Sequence, residues 1–245
     1  MFIDTVSKNQ LKKYFKIIGL SCFVAFLLFS LIVSSGFFVQ YDVIVNRLFG
    51  GTFRGVFFVY SKILEYLYLF LGVLCLQLFW KFYKKRERME ALLLSITVFS
   101  SIFAQFFVKP LFDILCPGTY YNSVFTTYRL LAESELFQRI ALTETCYPSN
   151  HTVAYIVICS YIALLMHTYF PKRKTTNYVV FLLVLIVFTV GITRVYLHVH
   201  WLSDVIAGYL LGGALVSGIF WTRLHRREFR KLMKAVHEKM VRNRQ

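Results

Sequence analysis

The sequence predicts an all-α polytopic membrane protein with six transmembrane helices and with both termini in the cytoplasm. Three observations support this prediction. Of the 245 residues, 58% are hydrophobic and only 16% are charged, whereas about a quarter of residues are charged in soluble domains. The apolar residues are gathered into six long runs, and the Lys and Arg residues are concentrated in alternate connections between those runs. This much apolar surface also excludes a disordered chain.

Each apolar run is expected to be a helix, because lipid offers the backbone no hydrogen-bond partners. The first run, residues 17–39, contains no charged residue and would span about 35 Å as one helix, enough to cross a hydrocarbon core. It is longer than the core of a signal peptide and no small-x-small cleavage site follows it, so we expect a retained helix. The other five runs are residues 56–80, 91–108, 152–170, 178–193 and 205–221, and the fifth helix is expected to extend past Arg194.

The distribution of basic residues predicts the orientation. Lys and Arg number four in the tail at 1–16, five at 81–90, three at 171–177 and nine after residue 221, which makes 21 on one side and leaves seven on the other. The positive-inside rule therefore places both termini in the cytoplasm. All of the net charge of +16 falls on that side, so the basic composition reflects topology, and no motif supports binding to nucleic acid.

The chain is expected to form a single membrane domain, residues 1–245, because it contains no internal repeat or flexible linker. Its basic tail at 222–245 has apolar residues at near-helical spacing, which predicts an amphipathic helix on anionic lipid headgroups.

Polar residues that lipid would not tolerate without a function lie in two outer segments, the loop at 109–151 and the shorter segment at 194–204. If the second segment is helical from His200, Asp204 lies one turn later on the same face. A carboxylate there fixes the imidazole tautomer and raises its basicity. Arg194 adds a permanent cation suited to bidentate contact with phosphate.

The long outer loop supplies the complementary groups. It begins at Lys109 and ends directly before the fourth helix, whose N-terminal N–H groups favour an anion. Ser149 is placed to cap that helix and to donate to an oxyanion, and His151 is placed to act as a general acid. Together with the second segment, these groups suit phosphoryl transfer through a phospho-histidine.

These segments resemble the type 2 phosphatidic acid phosphatase family, whose pattern is Lys-x6-Arg-Pro, then Pro-Ser-Gly-His, then Ser-Arg-x5-His-x3-Asp. The chain has Lys109-x6-Cys116-Pro117, then Pro148-Ser149-Asn150-His151, then Thr193-Arg194-x5-His200-x3-Asp204. The long loop and the basic turn after the fourth helix are similar to bacterial phosphatidylglycerophosphate and undecaprenyl pyrophosphate phosphatases, and lipid A phosphatases belong to the same group.

The resemblance implies a role for each matched residue. His200 would attack phosphorus and become phosphorylated, Asp204 would orient His200, and His151 would protonate the leaving group. The phosphate oxygens would be held by Lys109, Ser149, Arg194 and the backbone near Asn150. No metal or other cofactor is implied. The implied partners are the bilayer and a membrane lipid phosphate, with the site on the periplasmic or exterior face of a bacterial cytoplasmic (inner) membrane.

Three positions depart from the family pattern. Thr193 for Ser is a mild change, and Asn150 for Gly adds bulk beside the phosphate but still tolerates positive φ. Cys116 for Arg deletes a cation, which leaves three alternatives. Arg129 or Arg139 replaces it, the substrate carries less charge, or the protein is a weak or non-catalytic member that binds anionic lipid. A lipid phosphotransferase would use the same residues, and no motif indicates the substrate or the oligomeric state.

Several residues have simpler interpretations. Lys62 and Glu65 form either a mutually neutralised pair, which we favour, or a contact to the substrate headgroup; they also motivate a small transporter as a further alternative. Cys116 and Cys146 form either a disulfide or two free thiols. A metal site formed by His151, His198, His200 and Asp204 has no compact motif to support it.

Overall fold

The computed structural model describes residues 8–49, 54–85, 88–103, 107–108, 147–170, 173–197 and 199–242. In this part of the chain all elements of regular structure are helices, which confirms the predicted all-α class. They are α1 (Lys8–Ser34), α2 (Val39–Leu48), α3 (Arg54–Lys84), α4 (Arg88–Phe103), α5 (Asn150–Tyr169), α6 (Lys174–Tyr196) and α7 (Leu202–Arg242).

Five helices are long and apolar enough to cross a membrane, and they coincide with five of the six predicted runs. Their membrane-spanning parts are Gln10–Ser34, Gly55–Lys84, Asn150–Tyr169, Lys174–Tyr196 and Leu202–His225. The remaining run, 91–108, corresponds to α4, whose 16 residues extend over about 24 Å and fall short of a hydrocarbon core. Residues 104–106 lie outside the described part of the chain, so the sixth span and the cytoplasmic location of the termini stay predictions.

The first predicted helix is present, but its predicted end at residue 39 was wrong. The first helix ends at Ser34, and Gly36 follows in the left-handed conformation with φ of +79°. The Gly36 N–H donates to the Val33 carbonyl at 3.0 Å, which is the way that a glycine closes a helix C-terminus. Apolar composition continues across this break, and hydropathy therefore did not reveal it. The chain resumes as the short helix α2 at Val39.

Helix α7 is the centre of the bundle and packs against α1 and α5, while α5 also packs against α6 and α4. Two glycines of α7, four residues apart, face α5. A Cβ atom placed on Gly208 would lie 2.9 Å from Thr152 Cβ, and one on Gly212 would lie 3.0 Å from Ile156 Cγ2. Small residues at this spacing let two membrane helices approach closely. The N-termini of α5 and α7 consequently meet at one end of the bundle.

Buried polar side chains also bond across the helices. The Tyr155 hydroxyl of α5 donates to the Leu64 carbonyl of α3. Toward the other end of the bundle, Arg223 Nη2 of α7 lies 3.2 Å from Glu90 Oε1 of α4, and the Tyr161 hydroxyl donates to Glu90 Oε2 at 3.4 Å. Since unpaired polar groups are costly in an apolar interior, these bonds also fix how the helices pair.

Candidate active site

Three helix ends meet at the site: the N-terminus of α5, the C-terminus of α6 and the N-terminus of α7. The Ser149 N–H donates to the Asp204 carbonyl at 3.0 Å, which joins α5 to α7. The N–H groups of Val199 and His200 donate to the Arg194 carbonyl at 3.1 and 3.2 Å, which folds the connection from α6 back on itself. The motifs that are separated in the sequence therefore lie together in space.

His200 and Asp204 form the predicted pair. His200 Nδ1 lies 3.3 Å from Asp204 Oδ2, and the same oxygen accepts the Trp201 N–H at 2.9 Å. Helix α7 begins at Leu202 and not at His200, so the expectation of a helix from His200 was wrong. The contact forms because Asp204, in the first turn, reaches back across the helix start as in a capping box. The Nε2 atom is then the ring nitrogen turned away from Asp204.

His151 lies beside this pair. It is the second residue of α5, and its ring centroid is 6.3 Å from that of His200, with 66° between the ring planes. His151 belongs to α5, whereas His200 lies in the connection before α7 and contacts Asp204 through Nδ1. Side chains positioned in this way can act as a nucleophile and a proton donor on one bound group.

Ser149 occupies the N-cap position of α5, but its side chain makes no capping hydrogen bond, so this part of the expectation was wrong. It is fully buried, and its Oγ atom accepts a hydrogen bond from the Thr152 hydroxyl at 3.1 Å. Asn150 stands where the family motif has Gly. It is the first residue of α5 and its backbone is helical, so this position does not need a positive φ. Its Oδ1 atom is buried and has no hydrogen-bond partner among the described residues.

Arg194 is the buried cation of the site, with 5% of the residue exposed. Its Nη1 atom lies 3.8 Å from Glu65 Oε1, whereas Nε and Nη2 have no hydrogen-bond partner in the described part of the chain. Glu65 Oε2 is also 2.9 Å from Lys62 Nζ. The predicted Lys62–Glu65 pair is thus present, and it extends to Arg194, which sequence reasoning missed. A buried guanidinium with N–H groups available is a suitable site for an anion.

Sequence reasoning also missed Asp42. This residue of α2 is 1% exposed; its Oδ1 accepts the Ser203 N–H at 3.0 Å and its Oδ2 accepts the Ser203 hydroxyl at 2.6 Å. The available signal was that Asp42 is the first charged residue after the uncharged stretch at 17–41.

Several predicted residues lie outside the described part of the chain, and their roles stay predictions: Lys109, Cys116, Arg129, Arg139, Cys146 and His198. The three described cysteines, Cys22, Cys75 and Cys159, are free thiols within helices. Among the described residues, no three His, Cys, Asp or Glu side chains are grouped so that they could hold a metal ion.

Comparison with known proteins agrees with this geometry. The sequence profile of the PAP2 superfamily matches residues 90–228, which is more than half of the chain. A crystal structure described as the first transmembrane PAP2 type phosphatidylglycerolphosphate phosphatase from Bacillus subtilis is similar in fold. The TM-score is 0.62 at 19% sequence identity, over 82% of this chain and 94% of that chain. A comparison with curated protein sequences finds no match. The chain belongs to the PAP2 superfamily, the type 2 phosphatidic acid phosphatases.

Proposed function

We propose that this protein is an integral membrane phosphatase that removes phosphate from a lipid phosphate monoester or pyrophosphate through a phospho-histidine. One observation carries the proposal. The buried His200–Asp204 pair lies beside His151 and is bonded to the Arg194 carbonyl, and the Nε and Nη2 atoms of the buried Arg194 side chain have no hydrogen-bond partner among the described residues. Phosphoryl transfer through a phospho-histidine requires such groups: a nucleophile, a proton donor and a cation that binds the phosphate oxygens.

In the first step, His200 Nε2 attacks phosphorus. Asp204 accepts the Nδ1 proton in a hydrogen bond and stabilises the positive charge that develops on the ring. The bond from phosphorus to the lipid oxygen breaks, and His151 donates its proton to that oxygen. Arg194 and the N–H groups at the start of α5 bind the non-bridging oxygens, where negative charge is concentrated in the transition state.

In the second step, water takes the place of the lipid. His151, now neutral, accepts a proton from the water as its oxygen attacks phosphorus. The bond between phosphorus and Nε2 breaks, inorganic phosphate leaves and the imidazole is restored. An acceptor lipid in place of water would give phosphotransfer with the same residues, and a phosphorylated lipid product in place of inorganic phosphate would reveal it.

The substrate class follows from the surroundings of the site. The site lies at one end of a bundle whose described part has five apolar membrane-length helices, and we expect that end to lie near the depth of lipid headgroups. The similar crystal structure is that of a phosphatidylglycerolphosphate phosphatase, so phosphatidylglycerophosphate is the first substrate to test. Undecaprenyl pyrophosphate and lipid A are the alternatives, because each presents phosphate at a comparable depth.

We place the site on the periplasmic or exterior face of a bacterial cytoplasmic membrane. The ends of α3 and α6 opposite the site carry Lys81, Lys84, Arg173 and Lys174, and basic residues mark the cytoplasmic side. Reporter fusions test this orientation, and a cytoplasmic signal from the 109–151 loop would refute it.

The enzymatic test compares His200 with a histidine that lies away from the site. His200→Ala should abolish phosphate release from the purified protein in lipid nanodiscs, while His225→Ala, at the far end of the membrane-spanning part of α7, should retain it. Alkaline quenching of a reaction with 32P-labelled substrate should trap an acid-labile phosphoprotein in the wild type and none in His200→Ala. Activity that survives His200→Ala, or that a chelator removes, contradicts the mechanism. Wild-type protein that binds the lipids but releases no phosphate is a non-catalytic member.

A further inference from the structure

Helix α2 is a short element between two apolar helices, and its two faces differ. One face is exposed and apolar, with Tyr41 at 45%, Ile44 at 54% and Leu48 at 78% exposure. The spacing of these residues is that of one helical stripe, which suits the boundary of a bilayer. The other face carries Asp42, buried against the N-terminus of α7. A buried carboxylate requires compensating donors, and one residue at the start of α7 supplies two of them.

Ser203 provides both donors and directly precedes Asp204. Its N–H and hydroxyl bind the two carboxylate oxygens of Asp42 at 3.0 and 2.6 Å. The first N–H groups of a helix have no partner within the helix, and a carboxylate is the acceptor that the positive end of the helix dipole favours. Asp42 of α2 therefore stabilises the first turn of α7 by accepting the Ser203 N–H and hydroxyl. Asp204, within that turn, stabilises it by accepting the Trp201 N–H.

We propose that Asp42 is a positioning residue for the reaction: it fixes the first turn of α7 and thereby the orientation of Asp204 toward His200. The inference rests on the proposed function for its kinetic consequence, though its structural part is independent. Asp42 lies outside the residues, 90–228, that match the PAP2 superfamily profile. The superfamily motif thus depends, in this chain, on a carboxylate supplied by a preceding segment.

One oxygen atom of Asp204 links the first turn of α7 to His200. Asp204 Oδ2 is shared between the Trp201 N–H and His200 Nδ1, so a small rotation of the first turn lengthens the contact to His200. Without Asp42, the Ser203 N–H at the buried helix start loses an acceptor, and the first turn is free to fray. Misplacement of about 1 Å in a reacting group can lower a rate about 100-fold.

The test uses variants that separate hydrogen bonding from charge. Asp42→Ala removes both acceptors and should lower kcat about 10- to 100-fold, with KM changed less than about threefold because Arg194 is untouched. Asp42→Asn keeps an acceptor for the Ser203 N–H and a donor for its hydroxyl, so it should recover most of the loss. Ser203→Ala removes the shorter bond alone and should have an intermediate kcat. Adding it to Asp42→Ala should cause no further loss.

Glu90→Ala is the matched control. Glu90 is also 1% exposed and also holds helices together, away from the site. It should lower thermal stability with kcat per folded molecule unchanged. If the Asp42 variants behave in the same way as Glu90→Ala, Asp42 has a structural role only and the proposal is overturned.

A second measurement does not depend on catalysis. Deuterium uptake at the backbone of residues 201–205 should rise in Asp42→Ala and Ser203→Ala, and remain at the wild-type level in Asp42→Asn and Glu90→Ala. Unchanged uptake in Asp42→Ala refutes the positioning role even if the protein is active. An inactive wild type with the expected uptake pattern refutes the proposed function and leaves the positioning role standing. If Asp42→Ala does not fold, Ser203→Ala and Asp42→Asn carry the same comparison.

Discussion

Close packing between α5 and α7 sets the distance between the two halves of the site, and Gly208 is where this can be tested. A Cβ atom at this position would lie 2.9 Å from Thr152 Cβ and 3.0 Å from the Ser149 carbonyl oxygen. One of these obstacles is backbone, and the other is a β-branched side chain at the helix start. Gly208→Ala can therefore be accommodated only if α5 and α7 move apart.

The size of the effect follows from that displacement. Relief of both contacts to ordinary separation requires a shift of about half an ångström, and overpacking of this kind costs about 1–3 kcal/mol. The shift separates Ser149 and His151 on α5 from His200 and Asp204 at the start of α7. Because catalysis is steeply dependent on such distances, we expect kcat to fall about 10- to 100-fold.

Two other glycines of α7 provide matched controls. Gly212→Ala would place its Cβ 3.0–3.1 Å from three atoms of the Ile156 side chain, one turn further from the site. It should lower the melting temperature and change kcat less than about threefold, since no backbone atom is among these nearest contacts and the displacement lies further from the reacting groups. Gly218→Ala meets nothing within 4 Å and should not be destabilising, because alanine favours the helix over glycine.

The assay is phosphate release in nanodiscs together with thermal unfolding of the same preparations. We expect the kcat of Gly208→Ala to be well below that of Gly212→Ala. The kcat of Gly218→Ala should be near the wild-type value. If Gly208→Ala has the kcat of Gly218→Ala, close approach of α5 and α7 does not set the geometry of the site.

Three further predictions concern single side chains. Glu65→Gln removes the charge beside Arg194 and should raise KM for the lipid phosphate several-fold with a smaller effect on kcat; an unchanged KM would show that Glu65 does not orient the guanidinium. His151→Gln should lower kcat about 100- to 10,000-fold, as expected for loss of a general acid. His167→Gln, near the other end of α5, should leave kcat unchanged. Single-turnover rates measure both effects. Tyr155→Phe removes the hydrogen bond to α3 and should cost about 1 kcal/mol of stability while kcat stays within about twofold; a larger kinetic effect would assign the hydroxyl to the site.

Part of the site could be predicted from local sequence alone. The pair of His200 and Asp204 is close in the sequence, and their spacing is sufficient to bring them together whether the helix begins at His200 or, as observed, at Leu202. His151 and Ser149 were recognisable because they precede an apolar run, which defines a helix start. What local sequence could not indicate was how the Ser149 side chain bonds, since its partner depends on a neighbouring hydroxyl.

The positions of the apolar helices were determined by the sequence itself, because lipid requires long apolar segments with internally bonded backbones. The candidate reacting residues could be predicted in the same way, because their chemistry and short spacings are local properties, and their roles stay predictions. Only the tertiary structure decided the break at Gly36, the contact of Glu65 with Arg194 and the bonds from Asp42 to Ser203. Glu65 and Arg194 are separated by 129 positions in the sequence, and Asp42 and Ser203 are separated by 161. Such contacts depend on how helices pack, and hydropathy and periodicity carry no information on that packing.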